Sequence, residues 1–287
     1  MALTKVESVS IERGRFAYRE RGEAGGPVVV MLHGWPESSY CWEPVCRYLK
    51  SGLRVIAPDL RGLGDSDRST ELAAYRKQAL AQDMVALLDA LGVGEFQLVG
   101  HDWGGVVAQE VALAIPERVS RLVLMNIHVI NNLRANKEVL AKPGGNRNNW
   151  YQHFQQTPGL AEAMIPGNER VWLGQFLRTG AGEPLDDNII DEYVRCYSIP
   201  GTATTGANYY RAMFDDAKRW VGLGDHRWPM PGLYVYGNQD KVVVPEYLRY
   251  IEDCFEAVRV EQIEAGHFLQ EEQPEKVAAL LNDFLVT

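Results

Sequence analysis

The stretch that most constrains this chain is Val99-Gly100-His101-Asp102-Trp103-Gly104-Gly105. A continuous apolar run (96–99) leads into it, and an apolar segment that opens on glycine (about 104–115) leads out. Strand, sharp corner and helix in that order, with small residues flanking the corner, lift one side chain to the end of a sheet. The arrangement needs a parallel sheet with helices on both faces, because only there does a strand feed directly into a helix packed on its neighbours. Other apolar runs fit such a sheet: 16–19, 28–32, 55–58 and 122–125. Those after Pro27 are too continuously apolar for a strand with one wet face. Between them Leu80, Met84, Leu87, Leu88 and Leu91 recur at helical spacing, forming one stripe that stops at Gly92.

After about Asn126 the rhythm changes. Residues 128–221 are rich in Asn, Gly, Trp and Tyr, carry helical pieces and show no buried-strand run. The sequence Lys142-Pro143-Gly144-Gly145-Asn146 breaks any continuous helix there. Strand and helix signals then resume with 233–236, a helix from Pro245, a strand at 257–263 and a last helix with Val277, Leu280, Leu281 and Phe284 on one face. The expected organisation is an α/β doubly wound, mostly parallel sheet built from 1–127 and 222–287, interrupted by a helical cap at 128–221. A length of 287 residues suits one such domain with an inserted lid.

Composition removes several function classes. The net charge of −9 is spread along the chain without a Lys/Arg block, so a nucleic-acid partner is not expected. No segment approaches the ~20 apolar residues of a membrane span, and the first residues have no apolar signal core, which points to a cytoplasmic protein. Cys41, Cys46, Cys196 and Cys254 lack metal or redox-motif spacing and read as buried reduced thiols. No His/Cys/Asp/Glu cluster suggests a metal. Gly62 and Gly64 lack the third glycine and the lysine of phosphate loops and read as a turn at the rim of the site. Charge alone is compatible with a monomer or a homodimer.

The corner residue is an aspartate where a serine commonly stands. A serine alkoxide attacks acyl carbon, whereas a carboxylate attacks saturated carbon and leaves an alkyl ester on the protein. That ester must be hydrolysed, which needs a base to activate water and an acid to orient the base. The chain order nucleophile, acid, histidine is met by Asp102, Asp240 after the run at 233–236, and His267 before the last helix. Backbone N–H groups of Trp35 and Trp103 are the expected oxyanion donors, Trp103 being favoured by the positive end of its helix. With the base already supplied, His33 and His101 read as structural.

These residues lie in segments that resemble a known family. HGWPES (33–38), DLRGLGDSD (59–67), VGHDWGG (99–105), YGNQD (236–240) and AGHFLQEE (265–272) are similar to the α/β-hydrolase-fold epoxide hydrolases, and most of the pattern is shared with haloalkane dehalogenases. Dehalogenases usually carry Asn at the place of Trp35, and fluoroacetate dehalogenases usually carry Arg at that of Trp103. The resemblance implies two cap tyrosines that hydrogen-bond the epoxide oxygen. The segment 149–159 resembles the first cap motif and offers Tyr151, with His153 as runner-up. The segment 206–211 resembles the second and selects Tyr210 over Tyr209. It also implies a small, neutral, apolar epoxide held among Trp35, Trp103, Trp150 and Phe268, water as co-substrate, and no cofactor. Two rivals stay open: a dehalogenase gripping halide with the Trp103 indole and Trp150 or Trp172, and a non-catalytic binding module on the same fold.

Overall fold

The computed structural model describes residues 3–22, 25–142, 147–179, 182 and 184–285; the predicted loop at 143–146 lies outside them. Eight strands form one sheet: β1 (Glu7–Ile11), β2 (Gly14–Arg21), β3 (Val28–Leu32), β4 (Arg54–Pro58), β5 (Phe96–His101), β6 (Val119–Met125), β7 (Gly232–Gly237) and β8 (Val258–Ile263). Their order is β1-β2-β4-β3-β5-β6-β7-β8, and β2 alone runs against the rest. Every residue of β5 and β7 is buried, as their uninterrupted apolar runs require.

The sheet is covered by α1 (Glu43–Cys46), α2 (Lys77–Ala90), α3 (Trp103–Ala114), α11 (Leu269–Glu272) and α12 (Pro274–Leu285). Between β6 and β7 runs a helical segment: α4 (Leu133–Leu140), α5 (Trp150–Gln156), α6 (Leu160–Met164), α7 (Glu169–Thr179), α8 (Asp187–Tyr197), α9 (Thr202–Arg211) and α10 (Met213–Val221). No described helix is long and apolar enough to cross a membrane.

Two local expectations differ from the structure. The helix expected from Pro245 is a pair of single 3-10 turns, Pro245–Leu248 and Ile251–Cys254. Arg249 is extended and Tyr250 is left-handed between them, which prevents propagation. Strand β1 has no apolar run to announce it: it is an edge strand whose Val9 and Ile11 are only partly buried.

The chain leaves β3 for β4 on one side and returns to β5 on the other, so the loops after β3 and β5 open into the crevice where strand order reverses. At this corner α3 lies almost on the sheet. A methyl group on Gly100 would sit 2.6 Å from the Gly104 carbonyl oxygen and the Gly105 Cα, and one on Gly104 would overlap the Leu32 and His33 carbonyls. Gly104→Ala is therefore expected to cost about 1–3 kcal/mol, as overpacking into fixed backbone does. Urea unfolding should show a lowered midpoint at unchanged slope; an unaltered midpoint would mean that the helix can back away freely.

Candidate active site

The site is assembled from loops at the carboxyl ends of five strands. Asp102 follows β5 with φ 48° and ψ −128°, a backbone conformation costly for any residue with a Cβ. Its amide donates to Met125 O on β6 (3.2 Å), and its Oδ1 accepts the Trp35 N–H from the loop after β3 (2.8 Å). Asp240, after β7, accepts His267 Nδ1–H on Oδ2 (2.8 Å) and the N–H groups of Val242 (2.7 Å) and Val243 (3.1 Å) on Oδ1. His267, after β8, turns Nε2 toward Asp102 Oδ2 at 3.6 Å, close enough for charge attraction and too far for a direct hydrogen bond. The three predicted residues are thus brought together, all buried. The Trp103 N–H heads α3, where helix geometry gives it no intrahelical acceptor.

Burial disfavours charge on both Asp102 and His267, but their neighbours reverse its effect. Burial acts to raise the Asp102 pKa; the His267 imidazolium, His101 and the Trp35 N–H outweigh it, and the carboxyl is held below its usual range. Burial acts to lower the His267 pKa; Asp240 and Asp102 together push it well above the ordinary histidine value. Each shift favours the charged form, a carboxylate on Asp102 and an imidazolium on His267.

A second set of residues, not anticipated as functional, fixes these three. Asn126 follows β6 with φ 43° and accepts the Gly237 N–H (2.8 Å) while donating to Gly266 O (2.8 Å) and His267 O (3.0 Å). His101 packs behind the His267 imidazole: Nε2 faces His267 O (2.8 Å) and Nδ1 faces Glu37 Oε2 (2.9 Å). The Gln270 amide nitrogen also lies 3.3 Å from His101 Nδ1. Glu37 also accepts the Gly34 N–H (2.9 Å) and the Gln270 amide. His33 donates Nδ1–H to Gly34 O (2.8 Å), accepts the Leu60 N–H on Nε2 (3.0 Å), and is kept neutral by burial. Both histidines thus brace loops. A polar residue directly after a strand end is the signal that would have found Asn126; Glu37 and Gln270 already lay within quoted motifs.

The helical segment supplies the opposite wall. Tyr151 on α5 and Tyr210 on α9 are buried, with ring centroids 5.7 Å apart and planes nearly perpendicular. The Tyr210 ring meets the Trp103 indole edge to face, with centroids 5.3 Å apart and planes at 78°. Burial pushes both phenols above their ordinary pKa, helped next by Asp102 at Tyr151 and by Tyr151 and then Asp102 at Tyr210. A cavity of roughly 220 Å³ is shared by Asp102, Trp103, Tyr151 and Tyr210. Tyr209, by contrast, donates to Arg61 O (2.8 Å) and packs against Tyr75. The runner-up His153 is exposed and lines neither this cavity nor its neighbour, because α5 turns its Tyr151 face inward. The turn around Gly62 and Gly64 abuts α9, with Thr205 Oγ1 donating to Gly62 O (2.6 Å).

Trp35 stacks on Tyr151 (5.6 Å, 3°) and donates its indole N–H to Tyr197 Oη (3.0 Å). Beyond this stack lies a second cavity of roughly 240 Å³, which Tyr151 also lines. Trp35, Trp150, Phe176, His267 and Phe268 form much of its wall. Trp150 and Phe268 therefore belong to an aromatic chamber beside the Asp102 cavity, and Trp150 is half exposed.

Comparison with known proteins agrees with this geometry. Residues 27–274 match the alpha/beta hydrolase fold family. Human epoxide hydrolase 4 is 32% identical over 281 residues, covering 94% of this chain and 75% of that protein. Among solved structures, Cfl2 of Burkholderia cenocepacia is 33% identical with a TM-score of 0.86, covering 97% of this chain and 95% of the other. Epoxide hydrolase A of Mycobacterium thermoresistibile is 28% identical with a TM-score of 0.87, covering 98% of each. The chain belongs to the epoxide hydrolase family of α/β-hydrolase-fold proteins.

Proposed function

We propose that this enzyme opens an epoxide to a vicinal diol through an ester on Asp102. The observation that carries the reading is the pair of buried phenols, Tyr151 and Tyr210, in one cavity with the buried Asp102 carboxyl, which its neighbours hold below its usual pKa. An epoxide has an alkoxide leaving group, so it needs a nucleophile on one side and a proton donor on the other. Residues 128–221 act as the cap that brings the donors.

Asp102 Oδ2, the oxygen not occupied by the Trp35 N–H, forms a bond to the less hindered ring carbon. The C–O bond on the far side breaks, and the oxygen takes a proton from the tyrosine pair. Esterification removes the negative charge from Asp102. One of the interactions that hold the His267 proton is then lost; that proton passes through solvent to the tyrosine that gave one up, and the neutral imidazole becomes a base. It takes a proton from water, whose oxygen attacks Asp102 Cγ. The Trp35 and Trp103 N–H groups hold the resulting oxyanion until the diol oxygen leaves and is protonated. A small neutral epoxide suits the aromatic chamber and the His128 in the Asp102 cavity, whose pKa burial drops to about 4. Against the dehalogenase alternative, Trp150 lines the other cavity and not the one that Asp102 and Trp103 share.

Three outcomes are expected. With styrene oxide, Tyr210→Phe should slow ester formation by ~ten-fold or more; unchanged formation together with brisk bromide release from bromoalkanes would select the dehalogenase. His267→Gln should accumulate a protein adduct of styrene oxide mass at Asp102, and a single turnover of wild type in heavy-oxygen water should leave the first diol unlabelled. Label in that diol would eliminate the covalent route. Finally, the acid limb for ester hydrolysis should lie at lower pH than the His267 titration in the resting enzyme, followed by NMR. Coincidence of the two would refute the charge-release step.

A further inference from the structure

A single buried cation lies just behind the proposed chemistry without touching it. Lys77, the first residue of α2, is completely buried. Its Nζ sits 4.0 Å from the centroid of the Trp103 ring, donates to the backbone oxygen of Tyr209, and lies 3.4 Å from Asp216 Oδ2 on α10. The backbone N–H of Lys77 also donates to Asp216 Oδ1 (3.2 Å). One side chain therefore touches the residue after the nucleophile and the residue before the ring-oxygen donor. The indole it covers is the one that packs edge to face against the Tyr210 ring, with centroids 5.3 Å apart.

We propose that Lys77 is a positioning and tuning residue, whose ammonium polarises the Trp103 indole and thereby makes Tyr210 a better proton donor to the epoxide oxygen. A cation on the face of an indole withdraws π density, and the N–H becomes a stronger donor. A more positive indole against Tyr210 stabilises the negative charge that develops on its oxygen as the proton is passed to the ring oxygen. The bond from Nζ to Tyr209 O holds α9 against the core, so orientation and acidity depend on the same group. The inference rests on the epoxide reading for its consequence, though the electrostatic link itself does not.

Burial of Lys77 lowers its pKa to about 8, with Asp216 and Asp102 opposing the drop. The charged groups around it are Asp216, whose own pKa burial raises, Asp102 at the head of α3, and His128 after β6. Glu110 of α3, paired with Arg219, lies beyond Asp216, and Arg76 adjoins it on α2. Because the pKa is lowered, the ammonium is present at neutral pH and is lost as the pH climbs through about 8. The polarisation should disappear with it.

Two measurements test this. In ¹⁵N-indole-labelled protein, with the Trp103 signal assigned by Trp103→Phe, that N–H resonance should move upfield as the pH passes about 8. It should not titrate in that range in Lys77→Met. In the His267→Gln background, where the ester accumulates and imidazole titration is absent, styrene oxide should alkylate Asp102 with a rate that falls above the same pH. Lys77→Met should lower that rate ~ten-fold and abolish its alkaline fall. With His267 intact, Lys77→Met should leave ester hydrolysis unaltered. An indole resonance that ignores both pH and Lys77→Met would overturn the proposal, even if every variant were inactive. So would equal losses in alkylation and hydrolysis, which mark a merely structural lysine. If the indole titrates while wild type never forms an ester with styrene oxide, the epoxide reading fails and the electrostatic link stands.

Discussion

A charged carboxylate held out of water is the constraint that organises this molecule. Isolated, Asp102 would protonate or draw in solvent, because an ionised group in an apolar interior is costly by many kcal/mol. It stays ionised because one oxygen is fixed by the Trp35 N–H and the other faces His267. It stays in place because the chain is forced through a left-handed corner between β5 and α3. That corner in turn dictates the small residues around it. A side chain at Gly34 would strike the Asp102 Cβ at 2.5 Å, so the loop that supplies the Trp35 N–H can come close only as glycine. The place of the Asp102 carboxyl, the Trp35 N–H bonded to it and the glycines packed around them are consequences of one backbone geometry.

Charge balance spreads outward from that carboxylate in layers. His267 lies between Asp102 and Asp240; behind it His101 carries the His267 carbonyl and leans on Glu37. Glu271, close to Glu37 and bonded by Tyr193 Oη (2.6 Å), has its pKa pushed well above the usual carboxyl range by burial and then by the Glu37 charge. On the insert side, Lys77 and Asp216 close the same circuit beneath Trp103.

Much of this was legible in the sequence, and the reason is periodicity together with local chemistry. Strands β3, β4, β5 and β7 declare themselves because a strand buried on both faces is apolar without interruption. Asp102, Asp240 and His267 declare themselves because each follows such a run. Strand β1 did not, since an edge strand needs few apolar residues. The turns after Pro245 look helical because proline starts a 3-10 turn as readily as an α-helix; what ends them is the extended Arg249, invisible in composition. The insert was the hardest to read. Its helices bury tyrosine and tryptophan on surfaces that face another part of the chain, so spacing along one helix does not tell which hydroxyl meets the nucleophile. Tyr209 and Tyr210 are neighbours, and only the roll of α9 against the Arg61 carbonyl separates anchor from candidate donor.

The same roll explains why Lys77 escaped notice. A lysine at the start of an amphipathic helix usually lies in water, and the stripe of α2 set by Leu80, Met84, Leu87 and Leu88 does not single it out. Its burial is a tertiary event: α9 and α10 close over the first turn of α2 and bring Tyr209 O and Asp216 to the ammonium. A cation so placed is weakly paired at 3.4 Å and is shared with an aromatic face, an arrangement that leaves its field directed at Trp103 and not quenched locally. Had the helix start carried leucine, the cavity would have packed more simply and Asp216 would have needed another partner. The lysine is therefore better understood by the groups its charge reaches than by the stability of its own ion pair.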